Sequence, residues 1–267
     1  MSLIFDKDIP YIEEQNLLEL TDLIPTPFYV YSQKNIVDTF YNLQSALNKD
    51  IYFSIKANSN QAIIKLLYSI GAGVDVVSRE ELQRALQVNV SPSKIIFEGV
   101  GKSKDDIEFA IRKNIRQINI ESIEELKLIE NIAINLNVTP SIGIRINPDI
   151  NTKTIEKIST GKKTDKFGIN FEQLPLVCKL IKQSKNLNFI GISCHIGSQI
   201  FKLKIFEQIF DKMKKAINIF VSYNLSIKHL DLGGGFGISY NDHQNDLDLS
   251  KLKKLIEKNF PNPNFDI

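Results

Sequence analysis

Four short stretches of this sequence carry side chains able to do chemistry together. The first is Ile51-Tyr52-Phe53-Ser54-Ile55-Lys56, which ends in a lysine. A lysine held in a crowded, partly desolvated place tends toward its neutral, nucleophilic amine, and that suits covalent attack on an aldehyde. The same residue can equally lay its stem along a strand end and put its charge in solvent. The second is Leu232-Gly233-Gly234-Gly235-Phe236-Gly237. Three glycines let backbone N–H groups approach a phosphate closely, although a tight turn with positive φ uses them as well. The third is His195-Ile196-Gly197-Ser198, where an imidazole could lie on a flat ring and a hydroxyl could donate to a phosphate. The fourth is Arg145, between apolar neighbours in Gly143-Ile144-Arg145-Ile146-Asn147-Pro148. An inward arginine needs a carboxylate or an anion, and Glu121 is the candidate partner for a structural ion pair. His229 and His243 lack such a setting and are read as packing residues.

These stretches have to be brought together by elements, and the hydrophobic pattern indicates which. Strand-like segments are expected at Ile51–Ala57, Val74–Ser78, Ile95–Val100, Gln117–Glu121, Ser141–Asn147, Phe189–His195 and Lys228–Gly233. Helical spacing covers Asn60–Ile70, Arg79–Val88, Lys104–Lys113, Ile123–Leu136, Phe171–Lys182 and Leu203–Tyr223. Alternation of this kind implies a parallel sheet, either doubly wound or closed as a (β/α)8 barrel. Strand parity favours the barrel. One parity is apolar (Ile51, Phe53, Ile55; Ile118, Ile120; Ile142, Ile144, Ile146; Ile190, Ile192; Leu230, Leu232). The other is small or polar (Ser54, Lys56; Asn119, Glu121; Gly143, Arg145, Asn147; Gly191, Ser193, His195; Asp231, Gly233). A doubly wound sheet, covered on both faces, runs apolar on both parities. In a barrel the strand ends bearing Lys56, Ser78, Glu98, Gly99, Glu121, Arg145, His195 and Gly233–Gly235 converge on one mouth.

Seven strands are visible. An eighth is expected to begin at Asn264-Phe265-Asp266-Ile267, after a helix Ser250–Lys258 with Ser250 as its N-cap, so the barrel reads as cut at strand eight. Thr26–Tyr31 reads as a strand outside the barrel. The expected organisation is therefore residues 1–34 as an extension belonging to a β-rich domain whose other strands are not in this chain, and 35–267 as the barrel. The net charge of +2, from 33 basic and 31 acidic residues, gives no general pull toward nucleic acid or membrane. Two cysteines without metal-ligand spacing, no signal-peptide pattern and no long apolar run point to a soluble cytoplasmic protein.

The motifs together are more specific than any one. Phe53–Asn58, Asp75-Val76-Val77-Ser78, Gly99–Ser103, Arg145–Pro148, Ile158–Gly161 with Lys166–Ile169, His195–Gln199 and Asp231–Gly235 occur in the order found in one family. From about Pro25 onward the chain resembles the diaminopimelate decarboxylases, fold-type III pyridoxal 5′-phosphate enzymes of the alanine racemase and ornithine decarboxylase class. The resemblance implies Lys56 as the residue bonded to the cofactor, His195 against its ring, and Ser198, Gly233, Gly234 and Gly235 at its phosphate. It implies Arg145 and Lys166 near cofactor and substrate, and Asp75 as an acid behind the lysine. The reaction it implies is loss of the α-carboxylate of meso-diaminopimelate as carbon dioxide, giving L-lysine in a homodimeric enzyme. Glu80 and Ile155 depart from the family's usual glycine and histidine. The family's Glu-Pro-Gly-Arg segment, whose glutamate pairs with the pyridine nitrogen, is not among these residues. Neither are the Cys-Glu-Ser motif and tyrosine of its C-terminal β domain. Activity of this chain alone is therefore expected to be impaired. Two readings compete: a non-catalytic single-barrel carrier of the cofactor, and a degraded product without a stable fold. Within the decarboxylase reading, ornithine, arginine and carboxynorspermidine decarboxylases are the relatives to separate.

Overall fold

The computed structural model describes residues 3–150, 167–240, 246–261 and 263–267. The chain divides into two compact units, Met1–Ala46 and Leu47–Ile267; the sequence pattern places the division earlier, at 34/35.

The first unit opens with an antiparallel meander: β1 (Leu3–Asp6), β2 (Ile9–Ile12) and β3 (Gln15–Asn16). Its turns, Lys7-Asp8 and Glu13-Glu14, carry positive φ at both central residues, as two-residue hairpins require. Asn16 caps the short helix α1 (Leu17–Thr21) by accepting from Leu18 N–H at 2.9 Å. Helix α2 (Gln33–Leu47) follows. Glu13 accepts the Lys34 N–H at 2.7 Å and the Ser32 hydroxyl, which places a carboxylate at the positive end of α2. The strand expected at Thr26–Tyr31 is not formed: the segment has no ladder partner among the described residues, and without one an extended segment is not a strand.

The second unit alternates strand and helix: β4 (Tyr52–Ser54), α3 (Gln61–Ser69), β5 (Gly73–Val76), α4 (Arg79–Gln87), β6 (Ile95–Phe97), α5 (Lys104–Arg112), β7 (Gln117–Ile120), α6 (Ile123–Leu136), β8 (Ser141–Asn147), β9 (Ile169–Asn170), α7 (Leu174–Gln183), β10 (Asn188–Ser193), α8 (Leu203–Ser222), β11 (His229–Asp231) and α9 (Leu249–Asn259). The sheet runs β4-β5-β6-β7-β8-β10-β11, all parallel, with the two-residue β9 paired to β8. The order follows the chain without reversal, whereas a doubly wound sheet reverses at its switch point. The sheet also curls: Arg116, just before β7, reaches His229 on β11 at 3.0 Å and lies 5.9 Å from the ring of Tyr52 on β4. These are the first, fourth and seventh strands of the path, and their side chains meet across its concave face. Asp266 sits beside β11 in parallel, its N–H on the Lys228 carbonyl and its carbonyl taking the Leu230 N–H, both at 2.8 Å. That is the register of an eighth strand.

The alternation of side chains follows from a period of two on a curled sheet. Ile118, Ile120, Ile142, Ile144, Ile146, Ile192 and Leu230 are buried, and the helices contribute buried Leu126, Ile129, Val177, Ile181, Phe210 and Met213 to the core. Each such side chain contributes roughly 1.5–3 kcal/mol by leaving water. Gln117, Asn119, Arg145 and Ser193, of the opposite parity, are buried too, but in the lumen. Glycines make room there: a Cβ on Gly143 would sit 2.1 Å from Asn119 Oδ1, and one on Gly191 2.5 Å from the His229 carbonyl.

The ladders are shorter at their C-terminal ends than the pattern suggests. Lys56, Ser78, Glu121, His195 and Gly233 all lie just past the last strand residue. The N-cap of α9 is Asp248, which accepts the Lys251 N–H at 3.0 Å; the expected cap, Ser250, instead donates to Asp248. A carboxylate two residues earlier reaches the free N–H groups of the first turn, so the serine is not needed there. No described helix is long and apolar enough to cross a membrane.

Candidate active site

The loops after β5 and β7 are built alike. Ser78 and Ser122 cap α4 and α6, and Glu81 and Glu125 reach back to the N–H of Val77 and Glu121 at 2.8 and 3.0 Å. Ser78 accepts the Glu81 N–H at 3.2 Å as that cap. After β4 the chain makes one 3-10 turn, Ile55–Ala57, closed by Asn58 N–H on the Ile55 carbonyl at 3.0 Å. Ile55 is wholly buried and anchors the turn; Lys56 is exposed on it.

Beneath the strand ends lies a layer of buried polar groups. Glu98 accepts from Asn119 Nδ2 and from Ser193 Oγ (3.2 Å) on one oxygen, and faces Arg145 Nη1 at 3.5 Å on the other. Arg145 also pairs with Glu121 at 2.9 Å and lies 4.9 Å from the centre of the Phe167 ring. Glu121 in turn accepts the N–H groups of Gly99 (3.1 Å) and Gly168 (2.8 Å), so one ion pair holds two mouth loops. Burial raises the Glu121 carboxyl, opposed by Arg145. Lys102, just after β6, is buried with its ammonium on the carbonyls of Gly99 and Asn119 and on Glu125, at 2.6–2.7 Å.

On the β4–β5 side, Asp75 accepts from Ser54 Oγ at 3.0 Å, while its other oxygen is out of solvent and has no partner among the described residues. Burial, with the Glu98 charge nearby, raises this carboxyl well above the ordinary range; Lys56 pulls the other way. Asp231 accepts the Gly233 N–H at 2.7 Å, yet burial and Glu98 push it up to about 6. Burial, then the Arg145 and Lys56 cations, push the His195 imidazole from 6.5 down to about 4. At neutral pH His195 is therefore a flat, uncharged ring.

The loops after β10 and β11 run side by side. Ile200 N–H reaches the Gly235 carbonyl at 2.9 Å and Gly237 N–H the Ile200 carbonyl at 3.0 Å. Gly197, Gly233 and Gly235 have φ of 127°, 73° and 71°. A Cβ on Gly235 would lie 1.9 Å from the Gly197 carbonyl and one on Gly233 2.5 Å from that of Cys194, while Gly234 has nothing within 4 Å. Two glycines thus serve the close approach of the loops, and the third borders open space beside exposed Ser198. The result is a cradle of the kind that accepts an oxyanion, with a neutral imidazole next to it: Gly233, on the cradle's rim, would put a Cβ 3.2 Å from His195 Nδ1. These residues fit a flat, phosphorylated aldehyde.

Of the sequence candidates, His195, Gly233, Gly234, Gly235 and Ser198 come together at this cradle. Lys56 bears on His195 electrostatically, Asp75 lies within reach of the Lys56 charge, and Arg145 lies in the lumen layer below. Lys166 and His243, with Ile155 and the Ile158–Gly161 segment, lie outside the described residues. His229 belongs to the far end of the barrel, between Arg116 and Asp266. Glu98 and Gln199 received no role from the sequence. Glu98 was placed among the strand ends at the mouth and Gln199 closes the His195–Gln199 motif, but the pattern gave neither a partner.

A curled parallel sheet with a lysine turn after its first strand and a glycine cradle after its last two defines a (β/α) barrel built to take an aldehyde cofactor. The comparison with known families agrees: the profile of the pyridoxal-dependent decarboxylases, pyridoxal binding domain, matches residues 33–266, and the chain belongs to that family. Among curated relatives, the diaminopimelate decarboxylase of Neisseria meningitidis serogroup B is 38% identical over 258 residues, covering 96% of this chain and 61% of the relative. That of Pseudomonas aeruginosa is 35% identical, covering 93% and 60%. The crystal structure of diaminopimelate decarboxylase from Helicobacter pylori complexed with L-lysine superimposes with a TM-score of 0.90 at 36% identity, covering 94% of this chain and 64% of that one. The chain thus spans about three fifths of the length of the relatives it matches.

Proposed function

We propose that these residues form the cofactor-binding barrel of a pyridoxal 5′-phosphate-dependent decarboxylase that converts meso-diaminopimelate to L-lysine and carbon dioxide. The observation that carries this reading is the pairing of the two loops around Gly234 beside an imidazole held neutral. In it, Lys56 bonds to the cofactor aldehyde, His195 lies against the ring, and Ser198 with Gly233–Gly235 holds the phosphate. Asp75 keeps a proton beneath the lysine, and Lys166 meets the substrate. Arg145 serves the cofactor by fixing Glu121 and the loops that Glu121 binds. When bound, the cofactor supplies a sink for the electron pair left behind by the departing carboxylate. The relatives' names and the lysine in the Helicobacter pylori complex support the choice of substrate.

The proposal extends to organisation. Residues 1–34 contribute to a β-rich domain and 35–267 form the barrel of a cytoplasmic homodimer. The Glu-Pro-Gly-Arg segment that the resemblance assigns to the pyridine nitrogen is not within these 267 residues. The test is an absorbance titration with pyridoxal phosphate of the wild type and Lys56→Ala, followed by carbon dioxide release from diaminopimelate. A lysine-dependent band present in the first and missing in the second is expected. Identical spectra would remove the proposal.

A further inference from the structure

Gln199 follows the cradle serine and stands in the left-handed region, with φ of 59°. That conformation is rare for a residue with a side chain, and it turns the Gln199 backbone out of the extended geometry on which the loop pairing depends. The side chain takes up the pairing instead. Its Oε1 accepts the Ile238 N–H at 2.9 Å and its Nε2 donates to the Ile238 carbonyl at 3.3 Å. A carboxamide has the donor and acceptor of a peptide group, so this is a ladder rung made by a side chain. It extends the pairing begun by Ile200 with Gly235 and Gly237, across 39 residues of sequence.

The rung adds to the Ile200 bonds and to the close approach of Gly235 to Gly197, which also hold the cradle's loops. Gly197, Gly233, Gly234 and Gly235 have no side chains to pack, and Gly234 borders open space. Phe201 backs the second loop, against Gly237, but lies beyond the rung. The separation of Ser198 from Gly234, and hence the aim of their donors, therefore depends on the bonds on either side of Gln199.

We infer that Gln199 is a positioning residue whose amide sets the width of the oxyanion cradle, and so the preference of the site for the phosphorylated form of its cofactor over the unphosphorylated one. The inference rests on the proposed cofactor and adds a claim about selectivity. Gln199 touches neither aldehyde nor ring in this reading. Its loss weakens what the cradle holds and leaves what Lys56 and His195 hold.

The test compares pyridoxal phosphate with pyridoxal, which lacks the phosphate, by absorbance titration of the wild type, Gln199→Ala and Gln199→Gly. Glycine tolerates φ of 59° and keeps the loop unstrained, so it carries the test if the alanine variant does not fold. Loss of two hydrogen bonds should weaken pyridoxal phosphate by about tenfold or more, with pyridoxal changed by less than about twofold. An unchanged ratio of the two affinities, whether both stay or both fall together, would overturn the inference. If the wild type shows no lysine-dependent band with either compound, the cofactor reading itself fails, and that is seen before any Gln199 variant is examined.

Discussion

Two neighbouring groups should drive the pH dependence of stability in opposite directions, and single substitutions should separate them. His195 is pushed from 6.5 down to about 4 by burial and by Arg145 and Lys56. Between those values the unfolded chain binds a proton that the folded chain refuses, so stability is lost as pH falls from 6.5 toward 4. Asp231 is pushed from 3.8 up to about 6 by burial and Glu98. Between those values the folded chain keeps a proton that the unfolded chain releases, so stability is present at low pH and lost as pH rises through 6. At 1.36 kcal/mol per pKa unit, each group accounts for about 3 kcal/mol of opposite sign over nearly the same window. Asp75 and Glu121, both raised, act in the same sense as Asp231; Asp231 is itself one of the charges that raise Asp75, so replacing it relaxes both acids and acts in the same direction. Urea unfolding followed by circular dichroism at pH 4, 5, 6 and 6.5 reads the result. Relative to wild type, Asp231→Asn should gain about 3 kcal/mol on going from pH 4 to 6.5, and His195→Asn should lose about as much. The asparagine at 231 can still accept the Gly233 N–H, which keeps the loop in place. Parallel curves for all three proteins, or slopes of the reverse sign, would refute the reasoning that the site excludes charge from the imidazole and holds a proton on the acid.

Lys102→Met should destabilise the chain by about 3 kcal/mol in urea unfolding, because it leaves the Glu125 carboxylate, only 10% exposed, and two carbonyls without their cation. Gly235→Ala and Gly234→Ala should part company. The first forces a Cβ against the Gly197 carbonyl at a φ of 71° and should cost about 2 kcal/mol or more in thermal unfolding. The second meets nothing within 4 Å and should leave stability within about 1 kcal/mol while lowering affinity for pyridoxal phosphate, since the added methyl enters the space the phosphate would take.

Much of this fold could be read from strand parity because a curled sheet with helices outside must alternate. Ile118, Asn119 and Ile120 report in three residues which face meets helices and which meets the lumen. The meander at residues 3–16 could not be read that way. Its turns are Lys7-Asp8 and Glu13-Glu14 rather than the asparagine and glycine pairs that announce positive φ, and its strands are four residues or shorter. Thr26–Tyr31 shows the converse: β-prone composition makes a strand only where a partner supplies a ladder. In the site, strand order placed His195 and the three glycines at the ends of neighbouring strands, whereas Lys56 could not be told by position alone from a lysine that lays its stem along a strand end. Glu98 was placed at the mouth by its strand end, but its role could not be read, because it depends on Asn119, Arg145 and Ser193 from three other strands.

Arg145 shows how the lumen layer and the mouth depend on each other. From sequence, an ion pair with Glu121 and a role at the cofactor were separate alternatives. In the structure the guanidinium lies between Glu98 and Glu121 and beside Phe167, and Glu121 spends both oxygens on the N–H groups of Gly99 and Gly168. A buried carboxylate that accepts two backbone donors fixes those loops only while its charge is met, since an unmet one would leave or take a proton. The same cation helps keep His195 uncharged. Arg145 thus acts on the mouth by two routes that begin at one guanidinium: it meets the charge of the carboxylate that holds two loops, and it opposes a charge on the imidazole.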